Sequence, residues 1–125
     1  MGKKRVMVVD DEERLTKIVK LNLEASGLFE VKTENKGAVV VESIRRFKPD
    51  VILLDVVMPD IDGSQVAQEI LSDKSLKDIP IIFLTAVVSS QEVANANGII
   101  GGQSFLAKPI NAQKLIEAIK ERINC

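Results

Sequence analysis

Short apolar runs alternate along the chain with longer segments in which apolar residues recur every three or four positions. Apolar runs of this length, bounded by polar or turn-forming residues, predict buried strands, and the longer segments predict amphipathic helices. The predicted strands cover 6–9, 29–33, 51–54, 81–84 and 105–107. The predicted helices cover 12–26, 35–47, the residues up to about 72, a segment that begins near 90, and the C-terminal segment.

The helical periodicity also predicts which side chains face the core. These are Leu15, Ile18, Val19, Leu23 and Ala25 in the first helix, Val40, Val41, Ile44 and Phe47 in the second, Val66, Ala67, Ile70 and Leu71 in the third, and Leu115, Ile116, Ile119 and Ile123 in the last. Gly27 is expected to end the first helix and Asn35 to cap the second. Residues 95–104 contain three glycines and two asparagines, which predicts either a short, frayed fourth helix or a loop.

Strand and helix alternate five times, which favours an α/β fold over the other fold classes. The expected architecture is a doubly wound, five-stranded parallel sheet with helices on both faces. At 125 residues, the chain has the usual length of one domain, and no linker-like stretch or internal repeat divides it. We therefore expect a single domain over residues 1–125.

Composition excludes several classes of function. With 46% hydrophobic residues, 28% charged residues and a net charge of -1, the chain lacks the cationic surface of a direct nucleic-acid binder. It contains no His, which excludes His-dependent nucleophilic sites and His-ligated metals. The single Cys125 excludes an intramolecular disulfide and favours a reducing compartment. No apolar run suits a membrane span or a secretory signal, so we expect a cytoplasmic protein without a membrane partner.

Polar residues follow four of the predicted buried strands. They are Asp10, Asp11, Asp55, Thr85 and Lys108. The carboxyl ends of parallel strands share one edge of a doubly wound sheet, and ligands bind in the crevice at that edge. We therefore expect these residues to converge although they are far apart in sequence.

Three converging carboxylates need a compensating positive charge. Two carboxylates about 5 Å apart repel by roughly 3 kcal/mol at an effective dielectric of about 20. Lys108 supplies one positive charge, and a hard divalent cation with oxygen ligands, which we expect to be Mg²⁺, would supply the rest. A cation beside a lysine and a hydroxyl suits a phosphoryl group, and one carboxylate is then available as a nucleophile that forms an aspartyl phosphate.

Four sequence blocks together resemble the receiver domain of bacterial two-component response regulators over essentially the whole chain. The blocks are VVDDEE at 8–13, ILLDVVMPDIDG at 52–63, Thr85-Ala86 after IIFL, and FLAKP at 105–109. The resemblance implies a flavodoxin-like fold with five parallel strands in the order 2-1-3-4-5 and five helices.

The resemblance also implies a role for each site residue. Asp55 matches the phosphoacceptor, and Lys108 matches the lysine that pairs with the phosphoryl oxygens. Asp10 and Asp11 match the acidic pair that holds Mg²⁺ together with Asp55, and the backbone carbonyl of Val57 matches the position that completes the metal site. No other cofactor is implied.

Two further residues match the switch of the family. Thr85 matches the hydroxyl that moves toward the bound phosphoryl group, and Phe105 matches the aromatic residue that turns inward with it. Their movement is implied to change the surface formed by the fourth helix, the fifth strand and the fifth helix. The departures from the family pattern are a switch residue without a hydroxyl, Gly102 where Ala is common, and Asn97-Gly98 within the predicted fourth helix.

Three hypotheses about function follow, of which the first is favoured. In the first, the chain is a phosphorylatable receiver that accepts a phosphoryl group from a histidine kinase or a small phosphodonor. In the second, it is a degenerate receiver that acts as a phosphorylation-independent interaction module, although none of Asp55, Lys108 and the acidic pair is lost. The third is a phosphohydrolase or a flavin-binding enzyme on a similar sheet. Haloacid-dehalogenase-type phosphatases need an Asp at the position of Val57, and flavodoxins need a Ser- and Thr-rich loop where this chain has acids.

The favoured hypothesis implies modification of the chain itself and no turnover of an external metabolite, so the chain is not expected to be an enzyme. Its expected partners are a sensor histidine kinase or phosphotransfer protein, with a downstream protein target or a second copy of the chain as the output. A stand-alone regulator or phosphorelay shuttle is favoured over a domain cut from a longer chain, because no output domain follows the last helix.

Overall fold

A computed structural model describes residues 3–55, 63–85, 99–100, 103–107 and 111–123. The strands are β1 Lys4–Val9, β2 Phe29–Glu34, β3 Val51–Asp55, β4 Ile81–Thr85, β5 Ile99–Ile100 and β6 Gln103–Ala107. The helices are α1 Glu13–Ala25, a 3-10 turn at Gly37–Val39, α2 Val40–Phe47, α3 Gly63–Leu71 and α4 Ala112–Ile123. Helix α4 corresponds to the fifth helix of the sequence analysis, because the predicted fourth helix near residue 90 lies outside the described residues.

The strands form one sheet in the order β2-β1-β3-β4-β6-β5. All neighbouring pairs from β2 to β6 are parallel. The five predicted strands therefore adopt the expected order, with β6 as the fifth parallel strand, and the predicted fold class is confirmed.

Strand β5 is an addition that the sequence analysis did not contain. It pairs antiparallel with β6, through Ile99 with Ser104 and Ile100 with Gln103. The two residues between these strands in sequence are glycines, the residue type that tight hairpin connections favour. The glycines were interpreted as signs of a short, frayed fourth helix or of a loop, whereas the isoleucines before them belong to a strand.

Two apolar layers enclose the sheet, one on each face. Met7, Val9, Ile52 and Leu54 pack with α2 and α3, whereas the alternate residues of β1 and β3 pack with α1 and α4. All five residues of β3 are consequently buried. Burial on both faces explains why the central strands are continuous apolar runs rather than alternating ones.

The buried stripe of α1 differs from the predicted one. Thr16, Val19 and Leu23 are the buried residues, whereas Ile18 is 56% exposed and Ala25 is also exposed, so both were wrongly predicted to face the core. The buried stripe is narrower than the apolar pattern indicates and includes Thr16, whose hydroxyl is hydrogen-bonded to the Glu13 carbonyl and to Asn35 Nδ2. The helix ends as predicted, since Gly27 follows it at a φ of +77° and donates to the carbonyl of Glu24 at 3.0 Å.

The predicted second helix begins later than expected. Residues from Val40 are α-helical after the 3-10 turn, and Asn35 does not cap the helix because its side chain bonds β1 and α1 instead. The helix ends at Lys48, which adopts a left-handed φ of 54° directly before Pro49. A residue before proline avoids the right-handed helical region, so this boundary follows from the sequence.

Most of the core positions predicted in the remaining helices are confirmed. Val40, Ile44, Val66, Ala67, Ile70, Leu115 and Ile119 are buried, and Val41, Phe47, Ile116 and Ile123 pack partly buried against them. The exception is Leu71, which is 44% exposed because it lies at the last turn of α3. Asn111 caps α4 through its Oδ1, which accepts from the N–H groups of Gln113 at 2.9 Å and Lys114 at 3.1 Å.

Asp73 joins the turn after α3 to α2. Its Oδ1 accepts from the hydroxyl of Ser75 at 2.6 Å and from the Ser75 N–H at 2.8 Å, and its Oδ2 pairs with the guanidinium of Arg45. The Ser75 side-chain and backbone hydrogen bonds, with a smaller contribution from Arg45, hold the pKa of Asp73 below its ordinary value.

A matched pair of leucines in α1 tests the observed packing. Leu23 is fully buried and Leu21 is 70% exposed. We expect Leu23→Ala to lower the free energy of unfolding by about 2–5 kcal/mol through lost contacts and a residual cavity. The control Leu21→Ala should change it by less than about 0.5 kcal/mol. Urea unfolding followed by far-ultraviolet circular dichroism measures both, and equal losses would contradict the orientation of the helix.

The hydrogen bonds to Asp73 predict a pH effect with a defined sign. The pKa of Asp73 is lower in the folded state than in the unfolded state. The hydrogen bonds therefore make their whole contribution to stability at pH values above the unfolded-state pKa, and this contribution is lost as the pH falls through the folded-state pKa. An NMR titration of the Asp73 carboxyl should give a lowered pKa, and Ser75→Ala should move it back up. Ser72→Ala is the control, since that hydroxyl donates to the Glu69 carbonyl, and it should leave the Asp73 titration unchanged.

Candidate functional site

The strand register brings two acidic strand ends together. Val9 is the partner of Leu54 in the pairing of β1 with β3. Asp10 directly follows Val9 and Asp55 directly follows Leu54, so the two acids lie at neighbouring strand ends. On the other side of β3, Asp55 is the partner of Leu84. The carboxyl ends of β1, β3 and β4 therefore meet at one edge, as expected for a parallel sheet.

Asp10, Asp11 and Asp55 form the acidic cluster at this edge. One carboxylate oxygen from each lies within 4.8 Å of the others. Asp10 is fully buried and Asp55 is 4% exposed, whereas Asp11 faces solvent. The cluster therefore has two buried members and one exposed member, so that a ligand from solvent can reach Asp11.

Several hydrogen bonds hold Asp10 in place. Its N–H donates to the carbonyl of Glu34 at 3.1 Å, and its own carbonyl accepts from Asn35 Nδ2 at 2.8 Å. Its Oδ1 accepts from the N–H of Glu12 at 3.0 Å, immediately before α1 begins. The end of β1 is thus fixed to β2 on one side and to the start of α1 on the other.

The remaining predicted site residues are described to different extents. Thr85 is the last residue of β4 and the partner of Ala107, and Phe105 lies in β6 opposite Phe83. These are backbone positions, and the roles of both side chains stay predictions. Lys108 and Val57 lie outside the described residues, so their predicted contributions to the site also stay predictions.

Sequence reasoning missed Asn35 and Thr16 at this edge. Asn35 was interpreted as a helix cap, although it directly follows β2 and so meets the same strand-end criterion that identified Asp10. Thr16 was not singled out, although it lies three and seven residues before the buried Val19 and Leu23. A polar residue on a buried helical stripe needs hydrogen-bond partners, and this requirement could have indicated its role.

The electrostatics of the cluster favour a cation. At separations near 5 Å and an effective dielectric of about 20, each pair of ionised carboxylates repels by about 3 kcal/mol. The donor set consists of carboxylate oxygens, which Mg²⁺ and Ca²⁺ prefer and which softer metals prefer less. The cluster can therefore hold a hard divalent cation.

Comparison with known proteins identifies the family. Residues 6–120 match the response regulator receiver domain. The chain is a member of this family. The receiver is also 34% identical to the polar-differentiation response regulator DivK of Brucella anthropi over 118 residues, which cover 94% of each chain.

Solved structures with the same fold agree with this assignment. The chemotaxis protein CheY4 of Vibrio cholerae superposes with a TM-score of 0.81 at 26% identity, covering 96% of this receiver and 98% of CheY4. A CheY-like response regulator receiver domain protein of Methanospirillum hungatei superposes with a TM-score of 0.81 at 25% identity, covering 98% of this receiver and 95% of that chain.

Membership assigns the chain to two-component signalling, in which phosphorylation and Mg²⁺ binding are typical of receivers. The acidic cluster has the donor atoms that such a metal site needs. Members of the receiver family are in general not classical enzymes, and they interact with histidine kinases or phosphotransfer proteins. None of the helices in the described part of the chain combines the length and the apolar character that crossing a membrane requires.

Cation binding by the cluster can be measured as a gain in thermal stability. A ligand that binds only the folded state stabilises it by about 1.4 kcal/mol at ten times its Kd. We expect Mg²⁺ to raise the melting temperature of the receiver and to raise it much less in Asp11→Asn, which removes one negative charge from the cluster without disturbing a buried residue. Glu30→Gln is the charge-matched control. Glu30 is an exposed acid that pairs with Arg5 near the amino-terminal ends of β1 and β2, away from the acidic cluster. An equal loss of the Mg²⁺ effect in both variants would show that only net charge matters.

Proposed function

We propose that this receiver accepts a phosphoryl group on Asp55 and passes a signal through the resulting change of its surface. The observation that carries the proposal is the position of Asp55 at the end of the central strand, 4% exposed and within 4.8 Å of ligand oxygens of Asp10 and Asp11. A carboxylate held at the carboxyl edge of a buried strand is positioned by both neighbouring strands, and so it can meet a donor in a defined orientation.

The proposed reaction is a phosphoryl transfer between two nucleophiles. A carboxylate oxygen of Asp55 attacks the phosphorus atom of a phosphohistidine on the partner kinase or phosphotransfer protein. The phosphorus–nitrogen bond breaks, its electron pair returns to the imidazole, and an aspartyl phosphate forms. With acetyl phosphate as the donor, the bond that breaks joins phosphorus to the bridging oxygen, and acetate leaves.

Charge compensation is assigned to the residues around Asp55. Asp10, Asp11 and Asp55 would hold Mg²⁺ with the backbone carbonyl of Val57, and Lys108 would pair with the phosphoryl oxygens. The bound metal would supply positive charge that neutralises the transferred group. Asp10 contributes a fixed oxygen, because its main chain and its Oδ1 are held by hydrogen bonds.

The proposed response involves Thr85 and Phe105. Thr85 ends β4, and β4 pairs with β6, which contains Phe105. A movement of the Thr85 hydroxyl toward the phosphoryl group would therefore reach the neighbouring strand directly. The surface formed by the predicted fourth helix, β6 and α4 is the proposed output, and a few kcal/mol of differential interaction shift such a two-state equilibrium.

The proposal also covers the setting in which the receiver works. It modifies itself and loses the phosphoryl group by hydrolysis, but it turns over no external metabolite. The phosphodonor partner is a histidine kinase or phosphotransfer protein, and the output partner is a protein target or a second copy of the chain. The expected location is the cytoplasm, where such partners present their phosphohistidines.

Intact-mass measurement after incubation with acetyl phosphate and Mg²⁺ tests the phosphoacceptor. We expect the wild type to gain one phosphoryl group in the presence of metal and to gain none in excess chelator. Asp55→Asn should gain none, because an amide is not a nucleophile for this transfer. Asp78→Asn, which changes an exposed acid in the loop before β4, is the control and should react like the wild type.

Two outcomes would redirect the proposal. Modification of Asp55→Asn at the wild-type rate would show that another residue is the acceptor. If neither acetyl phosphate nor a panel of phosphorylated histidine kinases modified the wild type, the receiver would be the phosphorylation-independent interaction module.

A further inference from the structure

We propose that Asn35 is a positioning residue for the acidic cluster and that it sets the affinity of the cluster for a divalent cation. This inference rests on the proposed function, since it concerns the metal site of the same reaction. Asn35 lies directly after β2 and its Nδ2 bonds the carbonyl of Asp10, so it would act through the main chain of Asp10.

The side-chain amide of Asn35 connects two separate parts of the structure. Its Nδ2 donates to the carbonyl oxygen of Asp10 at 2.8 Å and to the hydroxyl oxygen of Thr16 at 3.0 Å. Thr16 in turn donates to the carbonyl of Glu13 at 3.0 Å, so its hydroxyl hydrogen is used within α1 and its lone pair faces the amide. The two N–H groups of one amide thus join the end of β1 to the first turns of α1.

The bond to the Asp10 carbonyl bears directly on the acidic pair. That carbonyl belongs to the peptide group between Asp10 and Asp11, and a planar peptide transmits its orientation to both flanking α-carbons. The N–H of Asp10 is already held by Glu34 at 3.1 Å. With Asn35 in place, the chain is held on both sides of Asp10, and the direction in which the Asp11 side chain leaves the backbone is set.

Asp11 is the member of the cluster that depends most on this restraint. Asp10 and Asp55 are buried and packed, whereas Asp11 is exposed. An exposed carboxylate loses conformational freedom when it binds a cation, and a fixed backbone reduces the freedom that remains to be lost. Asn35 therefore pre-organises the exposed member of the three described carboxylates.

An amide suits this position better than the other polar side chains of similar size. Aspartate would place acceptors against the Asp10 carbonyl, and a serine hydroxyl has one hydrogen for two acceptors. Partners that orient metal ligands typically change metal affinity by 10- to 100-fold when they are mutated. Because Asn35 acts through a peptide group and not on a carboxylate itself, we expect an effect at the lower end of that range.

Isothermal titration of the full chain with Mg²⁺ alone, without any phosphodonor, tests the role directly. We expect Asn35→Ala to weaken Mg²⁺ binding about tenfold. Thr16→Val removes one acceptor of the amide and should weaken binding by less, whereas Thr16→Ser retains the hydroxyl and should bind as the wild type does. Urea unfolding of each variant establishes that the fold is intact.

Ser43→Ala is the matched structural control. The Ser43 hydroxyl donates to Glu34 Oε2 at 2.6 Å, so this variant removes a partly buried side-chain hydrogen bond at the same end of β2 without touching Asp10. It should lose stability comparably to Asn35→Ala but keep the wild-type Mg²⁺ affinity. In the reaction with acetyl phosphate, Asn35→Ala should raise the Mg²⁺ concentration that gives the half-maximal rate by about tenfold, because the defect lies in metal affinity. Ser43→Ala should leave that concentration unchanged.

The outcomes separate this inference from the proposed function. A wild type that binds Mg²⁺ together with an Asn35→Ala variant that binds it equally well would overturn the positioning role and leave the proposed function intact. Equal weakening by Asn35→Ala and Ser43→Ala would also overturn it, because the effect would then reflect general stability. A wild type that neither binds Mg²⁺ nor accepts a phosphoryl group would overturn the proposed function, and the positioning role with it.

Discussion

The repulsion between carboxylates brought together by a buried parallel sheet is the constraint on which the rest of this structure depends. Strands β1 and β3 are apolar on both faces and enclosed by two helical layers, so hydrophobic burial fixes their register. That register places Asp10 and Asp55 side by side despite the electrostatic repulsion between their carboxylates. The favourable free energy of the core thus maintains an arrangement that attracts a cation, and the site is a consequence of the packing beneath it.

The immediate surroundings of the acidic cluster keep it rigid. Three residues bond the main chain or the carboxylate of Asp10: Glu34 and Asn35 at the end of β2, and Glu12 before α1. Such a network holds a buried carboxylate in one orientation. A metal site benefits from this, because its ligands are then already oriented in the metal-free protein. Asp11 is exposed and completes the cluster on the solvent side. The same edge of the sheet therefore carries two buried carboxylates, Asp10 and Asp55, and one that solvent can reach.

The fold could be predicted from the sequence because its signals are local and repeated. The runs at 51–54 and 81–84 are apolar throughout and are bounded by prolines and polar residues, and both are strands in the structure. Local signals were insufficient where two faces of one helix are both apolar. Ile18 is exposed although the periodicity predicted that it faces the core, because a helix can turn only one stripe toward the sheet and Thr16 lies on that stripe. Leu71 is exposed for a related reason, since the helix ends there.

The sequence by itself determined the alternation of strands and helices, the strand order through its family resemblance, and the convergence of acids at the strand ends. The alternation and the convergence follow from residue type and spacing, since apolar runs must be buried and parallel strands must end at one edge. The strand order was implied by the resemblance alone. Only the tertiary structure decided that Asn35 bonds Asp10 and Thr16 and that Arg45 pairs with Asp73. These contacts join residues 19 to 28 positions apart. A hydrogen bond depends on the mutual distance and direction of two groups, and those are fixed only after the helices have packed on the sheet.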